Sequence, residues 1–143
     1  MTVRDTVTYW QDVQKGKRAA KNMHLAICTP ARNCEKNIVR NIQRIQKLEK
    51  YFAEVRLYVL ENDSTDNTRA VLEKYAKRMK HCKIYDASIC KEAYAHFFDD
   101  DSSLVDEIMQ SNDRLLSEGR MQRMALLRDG LRYAIQTLSL IHI

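Results

Sequence analysis

The chain has 143 residues, 45% of them hydrophobic and 30% charged, with only three glycines and one proline. That suits one domain with a sizeable core and excludes a disordered tail, a solenoid repeat or a Gly/Pro-rich linker. The net charge of +5, from 24 basic and 19 acidic residues, is spread along the sequence. It fits an anionic ligand or an anionic membrane surface and lacks the clustered Lys and Arg that nucleic-acid binding needs.

No run approaches the roughly twenty apolar residues of a membrane span, and no apolar signal-peptide core opens the chain. It therefore reads as cytoplasmic, with the membrane surface as a second location. Thr6 to Asn22 contains Trp10, Val13 and the basic run Lys15-Gly16-Lys17-Arg18. Residues 1–22 are expected as a leading helix, able to lie on a membrane as a peripheral contact, or as a frayed end with too thin an apolar face.

The first strand is Leu25-Ala26-Ile27-Cys28-Thr29-Pro30, running into the turn Ala31-Arg32-Asn33-Cys34-Glu35. From Glu35 to Phe52 the residues Ile38, Ile42, Ile45, Leu48 and Phe52 recur at steps of three and four, predicting a helix of about five turns. Val55 to Leu60 is β-branched and aromatic, as an inner strand would be, and ends at Glu61. Ser64-Thr65-Asp66-Asn67-Thr68 is rich in capping residues, so a helix is expected from near Asp66 to about Lys80, with Val71, Leu72, Tyr75, Ala76 and Met79 on its face. Lys83 to Ala87 reads as a short third strand. Ser88 to Glu118 has no sustained period and is expected to be a long loop with helical pieces. From Gly119 a helix carries Met121, Met124, Leu127, Leu131 and Ala134, with Arg120, Arg123, Arg128 and Arg132 distributed around it.

Cys28, Cys34, Cys82 and Cys90 show no Cys-x-x-Cys spacing and are expected as free thiols, Cys28 as a small buried strand residue. A zinc set of His81, Cys82, Cys90 and His96 fits no common spacing. The tail Leu138-Ser139-Leu140-Ile141-His142-Ile143 matches, in one reading frame, a translation of the transposase mosaic-end adaptor of fragment sequencing libraries. Native sequence is accordingly expected to end near Thr137, with residues 138–143 a processing scar. An apolar helix end or short strand is the other reading.

Two strands each ending in a polar turn that opens a helix imply an open parallel sheet. Such turns gather at its carboxyl edge, where helix N-termini favour diphosphates. Thr29-Pro30-Ala31-Arg32-Asn33, followed by Glu61-Asn62-Asp63-Ser64-Thr65-Asp66-Asn67-Thr68, resembles the start of a family 2-type glycosyltransferase with the glycosyltransferase A fold, over Met23 to about Thr137. The cap-polysaccharide mannosyltransferases, whose turn motif is looser, are a sub-branch it also resembles. Cys34 intervenes between Asn33 and Glu35, Glu61 replaces the family's first Asp, and Asp63 replaces a Gly, which it can do in a left-handed conformation.

The resemblance implies an α/β fold, three layers α/β/α around a mostly parallel sheet, here cut before the metal-binding strand. Residues 23–137 would be the nucleotide-binding part. It implies transfer of a sugar from a nucleotide-diphosphate sugar to an acceptor hydroxyl of a carbohydrate or glycolipid, as in polysaccharide biosynthesis. A divalent metal, Mn or Mg, would be held by an Asp-x-Asp beyond the chain's end, and the catalytic base would lie further downstream, so this chain alone is expected to be inactive. It places Thr29, Pro30, Ala31, Arg32, Asn33, Glu61, Asp63 and Arg128 on the nucleotide sugar: the first turn along the nucleoside, Glu61 accepting from base or ribose, and the two arginines facing phosphate. Ser64, Thr65 and Asp66 are expected to cap and shape the turn. Asp99-Asp100-Asp101 contains a literal Asp-x-Asp but follows too short an apolar run and precedes the arginine-bearing helix, so it reads as a solvated acidic loop. Loss of the central strand would leave the first strand an open edge prone to association. A non-catalytic nucleotide-binding or scaffold domain is the alternative function. A nucleotidyltransferase phosphate loop and a dinucleotide-binding Gly-x-Gly-x-x-Gly are both absent.

Overall fold

A computed structural model describes residues 3–98, 103–110 and 118–138. In chain order the elements are α1 (Val3–Ala20), β1 (His24–Ala31), α2 (Glu35–Gln46), β2 (Glu54–Glu61), α3 (Thr68–Ala76), β3 (Cys82–Tyr85), α4 (Ser88–Phe98), α5 (Ser103–Gln110) and α6 (Glu118–Tyr133), the last continuing into a π-helical turn at Ala134–Leu138. The strands form a parallel sheet in the order β1-β2-β3, with Ala31 opposite Glu61 and Leu60 opposite Tyr85. All three strands therefore deliver their following turns to one edge.

Alternation along β2 builds two cores. Leu57 and Val59 face one way and meet Ile38 and Ile42 of α2, Leu72 of α3, and Met79. Tyr58 and Leu60 face the other way and meet Ile89 and Cys90 of α4, Val105 of α5, and Leu126, Leu127 and Leu131 of α6. Successive strand residues point to opposite faces, so these two clusters define a three-layer α/β/α arrangement, as expected. Each fully buried Leu or Val contributes about 1.5–3 kcal/mol, which makes β2, nearly all of it buried, the centre of the fold.

Several boundaries differ from the sequence reading. The helix predicted over Glu35 to Phe52 is α-helical only to Gln46 and then tightens into a 3-10 turn at Lys47–Lys50. Helix α3 begins at Thr68 rather than near Asp66, because Asp66 accepts from the Thr68 N–H and so stays outside the helix, and it ends at Ala76. The stretch expected to be mostly loop contains α4 and α5. The inward residues of α4, Ile89, Cys90 and Ala93, include two small ones, which blunted the helical period. Asp99-Asp100-Asp101 and residues 139–143 lie outside the described residues. Residues 3–20 form a helix rather than a frayed end. Cys28 is exposed, not buried, since among the described strands β1 pairs with β2 alone and its outer face is only partly covered.

Cys90 shows the opposite environment. It is 1% exposed, and burial, reinforced by the nearby Asp129 and Asp86 carboxylates, pushes its thiol up to about 12. It acts as a small packing residue between α4 and α6.

Candidate functional site: two latched turns at the carboxyl edge

The turn after β1 and the turn after β2 are tied to each other by a set of hydrogen bonds. The Asn33 N–H donates to Ser64 Oγ at 3.0 Å, and Asn33 Oδ1 accepts from the Thr65 N–H at 2.8 Å. The Cys34 N–H donates to Thr68 Oγ1 at 2.8 Å. Glu35 accepts from the backbone and side-chain N–H groups of Asn67 at 3.3 and 3.1 Å. Asn33 and Asp63 both adopt left-handed backbone, with φ of 46° and 47°, conformations that Asn and Asp tolerate better than most residues. An Asp at position 63, where the resembled motif has Gly, is thereby accommodated.

Asp66 serves two helices at once. One carboxylate oxygen accepts from the Thr68 N–H at 2.9 Å at the start of α3, and the other accepts from the Glu35 N–H at 3.2 Å at the start of α2. Cys34 occupies the N-cap position of α2 and supplies no side-chain cap, so a residue from the neighbouring turn fills the role that Ser, Thr, Asp or Asn normally takes there. Hydrogen bonds from Thr68, then from the Glu35 backbone, hold the Asp66 carboxyl below the usual carboxylate range. Asp86, which accepts from the Ser88 hydroxyl and backbone N–H at the head of α4, is lowered for the same reason. A lowered folded pKa means that stabilisation is complete above the unfolded value, about 3.9, and is lost as pH falls through the folded value. The melting temperature is thus expected to hold down to about pH 5 and fall below about pH 4. Asp66→Asn should flatten that acid limb; an unchanged limb in a pH series of thermal melts would refute the assignment.

Glu61 is 6% exposed. Its Oε1 accepts from the Ser64 N–H at 2.8 Å, and its Oε2 lies 3.8 Å from the Arg69 guanidinium. The carboxylate thus closes its own turn. Arg69, which sequence reasoning overlooked, sits between Glu61 and Glu73, the latter at 2.7 Å. Its position directly after the capping run Ser64–Thr68, in the first turn of α3, carried no signal of that pairing.

Beside the latch lies a cleft of about 280 Å³ lined by Pro30, Ala31, Arg32, Asn62, Arg123, Met124 and Leu127. Pro30, Ala31 and Arg32 line this cleft, while Asn33, Glu61 and Asp63 lie in the latched turns rather than on its wall. Thr29 is half-buried within β1, its hydroxyl donating to the Pro30 carbonyl at 3.1 Å. Arg128 does not join Arg32. It lines a neighbouring cleft with Cys28, Pro30 and Arg132, and its guanidinium meets the Asp129 carboxylate at 3.2 Å. The arginine that α6 does place opposite Arg32 is Arg123, whose Nε also donates to the Ile108 carbonyl at 3.3 Å.

A parallel three-stranded sheet between helical layers, with its strand-end turns locked together beside a basic cleft, is consistent with the nucleotide-sugar transferase fold of glycosyltransferase A type. Residues 26–89 match the family model described as Glycosyl transferase family 2. That segment runs from β1 to the head of α4 and so takes in all three strands and both latched turns. It supports a glycosyltransferase family and does not reach α6. No curated protein and no solved structure matches the chain significantly.

Proposed function

We propose that this chain carries the donor-binding portion of a glycosyltransferase acting on a nucleotide-diphosphate sugar. The observation that supports the reading best is the cleft at the carboxyl edge, where Arg32 lies against the backbone of a turn held rigid by its neighbour. In the reaction, the acceptor hydroxyl oxygen bonds to the anomeric carbon as the bond from that carbon to the diphosphate breaks. The nucleoside diphosphate leaves with the bonding electrons, and the hydroxyl proton goes to a base. Under this reading the turn Thr29–Asn33 and the strand end Glu61–Asp63 flank the nucleoside, and Arg32 meets the diphosphate with its planar fork of donors.

Among the described residues no group of three His, Cys, Asp or Glu side chains is placed to hold a metal ion. The described residues therefore offer no ligand set for the divalent metal that the resemblance implies. The metal ligands and the base are proposed to lie outside the matched segment. The finer reading adds a polysaccharide product and a cytoplasmic active site, and the departures of Glu61-Asn62-Asp63 from the family 2 motif favour the cap-polysaccharide mannosyltransferase branch.

Titration calorimetry with uridine and guanosine diphosphates, with and without manganese, tests the proposal. One of them is expected to bind, and Arg32→Glu should weaken it by about tenfold or more, as expected when a charge-assisted contact of about 1.5–3 kcal/mol is replaced by repulsion. Absence of binding by either nucleotide would sink the reading. Binding by a chain that never turns over a donor sugar would favour the non-catalytic alternative.

A further inference from the structure

We propose that α1 is a docking helix for an anionic lipid bilayer, lying in the interface with Val7 and Trp10 among the headgroups and its basic last turn against lipid phosphates. The inference rests on α1 alone and is independent of the cleft and its ligand.

Val7, Tyr9 and Trp10 are 52%, 55% and 57% exposed, a concentration of large apolar side chains that a helix normally turns toward a core. Within residues 6–20 only Val13 and Ala20 are even partly covered. The sequence is also a poor intrinsic helix former. Thr, Val, Tyr and Trp lose side-chain freedom in a helix, Gly16 interrupts it, and a helix of this length is marginal in water without a packed face. A surface that covers the apolar strip supplies what the other described residues do not.

The charge pattern selects which surface. The last turn carries Lys17 and Arg18, with Lys15 just before them, paired to Asp12 across 3.4 Å of exposed helix. A shallow groove on the helix is lined by Val7, Trp10, Lys15 and Arg18, so the apolar strip and the cations share a side. Trp10 stacks edge-to-face on Tyr9 at 5.5 Å between centroids, and Trp and Tyr favour the membrane–water boundary. Basic and apolar residues on one helix bind anionic bilayers by combining apolar burial with charge attraction. No helix among the described residues is long and apolar enough to cross a membrane, which fits lying on the surface.

Trp10 is the only tryptophan and reports directly. With the full chain, vesicles of phosphatidylcholine containing 30% phosphatidylglycerol are expected to shift its emission to the blue, while pure phosphatidylcholine vesicles leave it unchanged, and 0.5 M salt reverses the shift. Each neutralised cation should weaken partitioning roughly fivefold, so Lys15→Gln/Lys17→Gln/Arg18→Gln together should weaken it on the order of a hundredfold. Val7→Asp should abolish it. Far-UV circular dichroism and the main thermal transition show that each variant retains the α/β fold. No shift with either vesicle, or an equal shift with both, overturns the proposal. So does a concentration-dependent blue shift without vesicles, which would make the occupant a second copy of this chain.

Discussion

Thr68→Val is expected to destabilise the protein by about 1–3 kcal/mol, the cost of stranding a buried donor. Thr68 is fully buried, and its hydroxyl accepts the Cys34 N–H at 2.8 Å. Valine keeps the volume and branching and removes the hydroxyl, which is both the acceptor for the Cys34 N–H and a donor to the Asp66 carboxylate. The Cys34 amide sits part-buried at the N-cap of α2 and loses its partner in the valine protein. Thr68→Ser keeps the oxygen and loses one methyl, about 0.8 kcal/mol, so the order of stability should be Thr, then Ser, then Val. Thermal melts of the three proteins check this, with Val lowering the midpoint by several degrees, about 3–5 °C for each kcal/mol in a chain of this size. A Val variant as stable as the Ser variant would show that the hydroxyl plays no part in joining the turns. If it does play that part, nucleotide affinity should fall with stability, because the turn that presents Arg32 is the one released.

The second large effect is expected at Gly130, on α6. A Cβ placed there would lie 3.0 Å from Cys90 Sγ and 3.2 Å from both Ile89 Cγ2 and Leu60 Cδ1. Helix α6 can approach β2 this closely only because that position has no side chain. Gly130→Val should cost about 2–3 kcal/mol through overpacking. In Gly130→Ala, the gain of about 1 kcal/mol in helix propensity opposes a milder clash, so the alanine protein should lie well above the valine protein in urea midpoint. The valine variant is also expected to bind nucleotide more weakly, since pushing α6 outward moves Met124 and Leu127 off the cleft that they share with Arg32. A valine variant with unchanged stability would mean that α6 is not seated against Leu60.

The layers were legible because the apolar periods are strong. Ile38 and Ile42 step by four, and Val55 to Leu60 is an unbroken β-forming run. The three-strand parallel sheet follows from those runs and their polar ends. The site was legible only in outline. The motif placed two turns at the carboxyl edge, where the parallel sheet has them, yet the side chains it highlights mostly satisfy one another: Asn33 holds Ser64 and Thr65, and Glu61 holds Ser64. A linear motif cannot distinguish a residue that faces a ligand from one that closes a turn, since both need oxygen at the same place. Arg123 and Arg128 illustrate a second limit. They lie on one helix, and which of them faces Arg32 depends on how α6 is rotated on the sheet, a rotation set in part by the missing side chain at Gly130. Cys28 was misplaced for a related reason, because strand order decides which apolar strand is covered on both faces.

The bonds between the two turns connect residues 31 to 34 apart in sequence. Loop-closure entropy grows only slowly with loop length, and the first of these bonds to form incurs nearly all of it. The rest then add with little further ordering, so the two turns should close in one concerted event, after α2 and β2 have formed locally. In the native protein they should likewise open together. Hydrogen exchange at the amides of Asn33, Cys34, Glu35 and Thr65 would then proceed at a common opening free energy, making the strand-end edge a single cooperative unit.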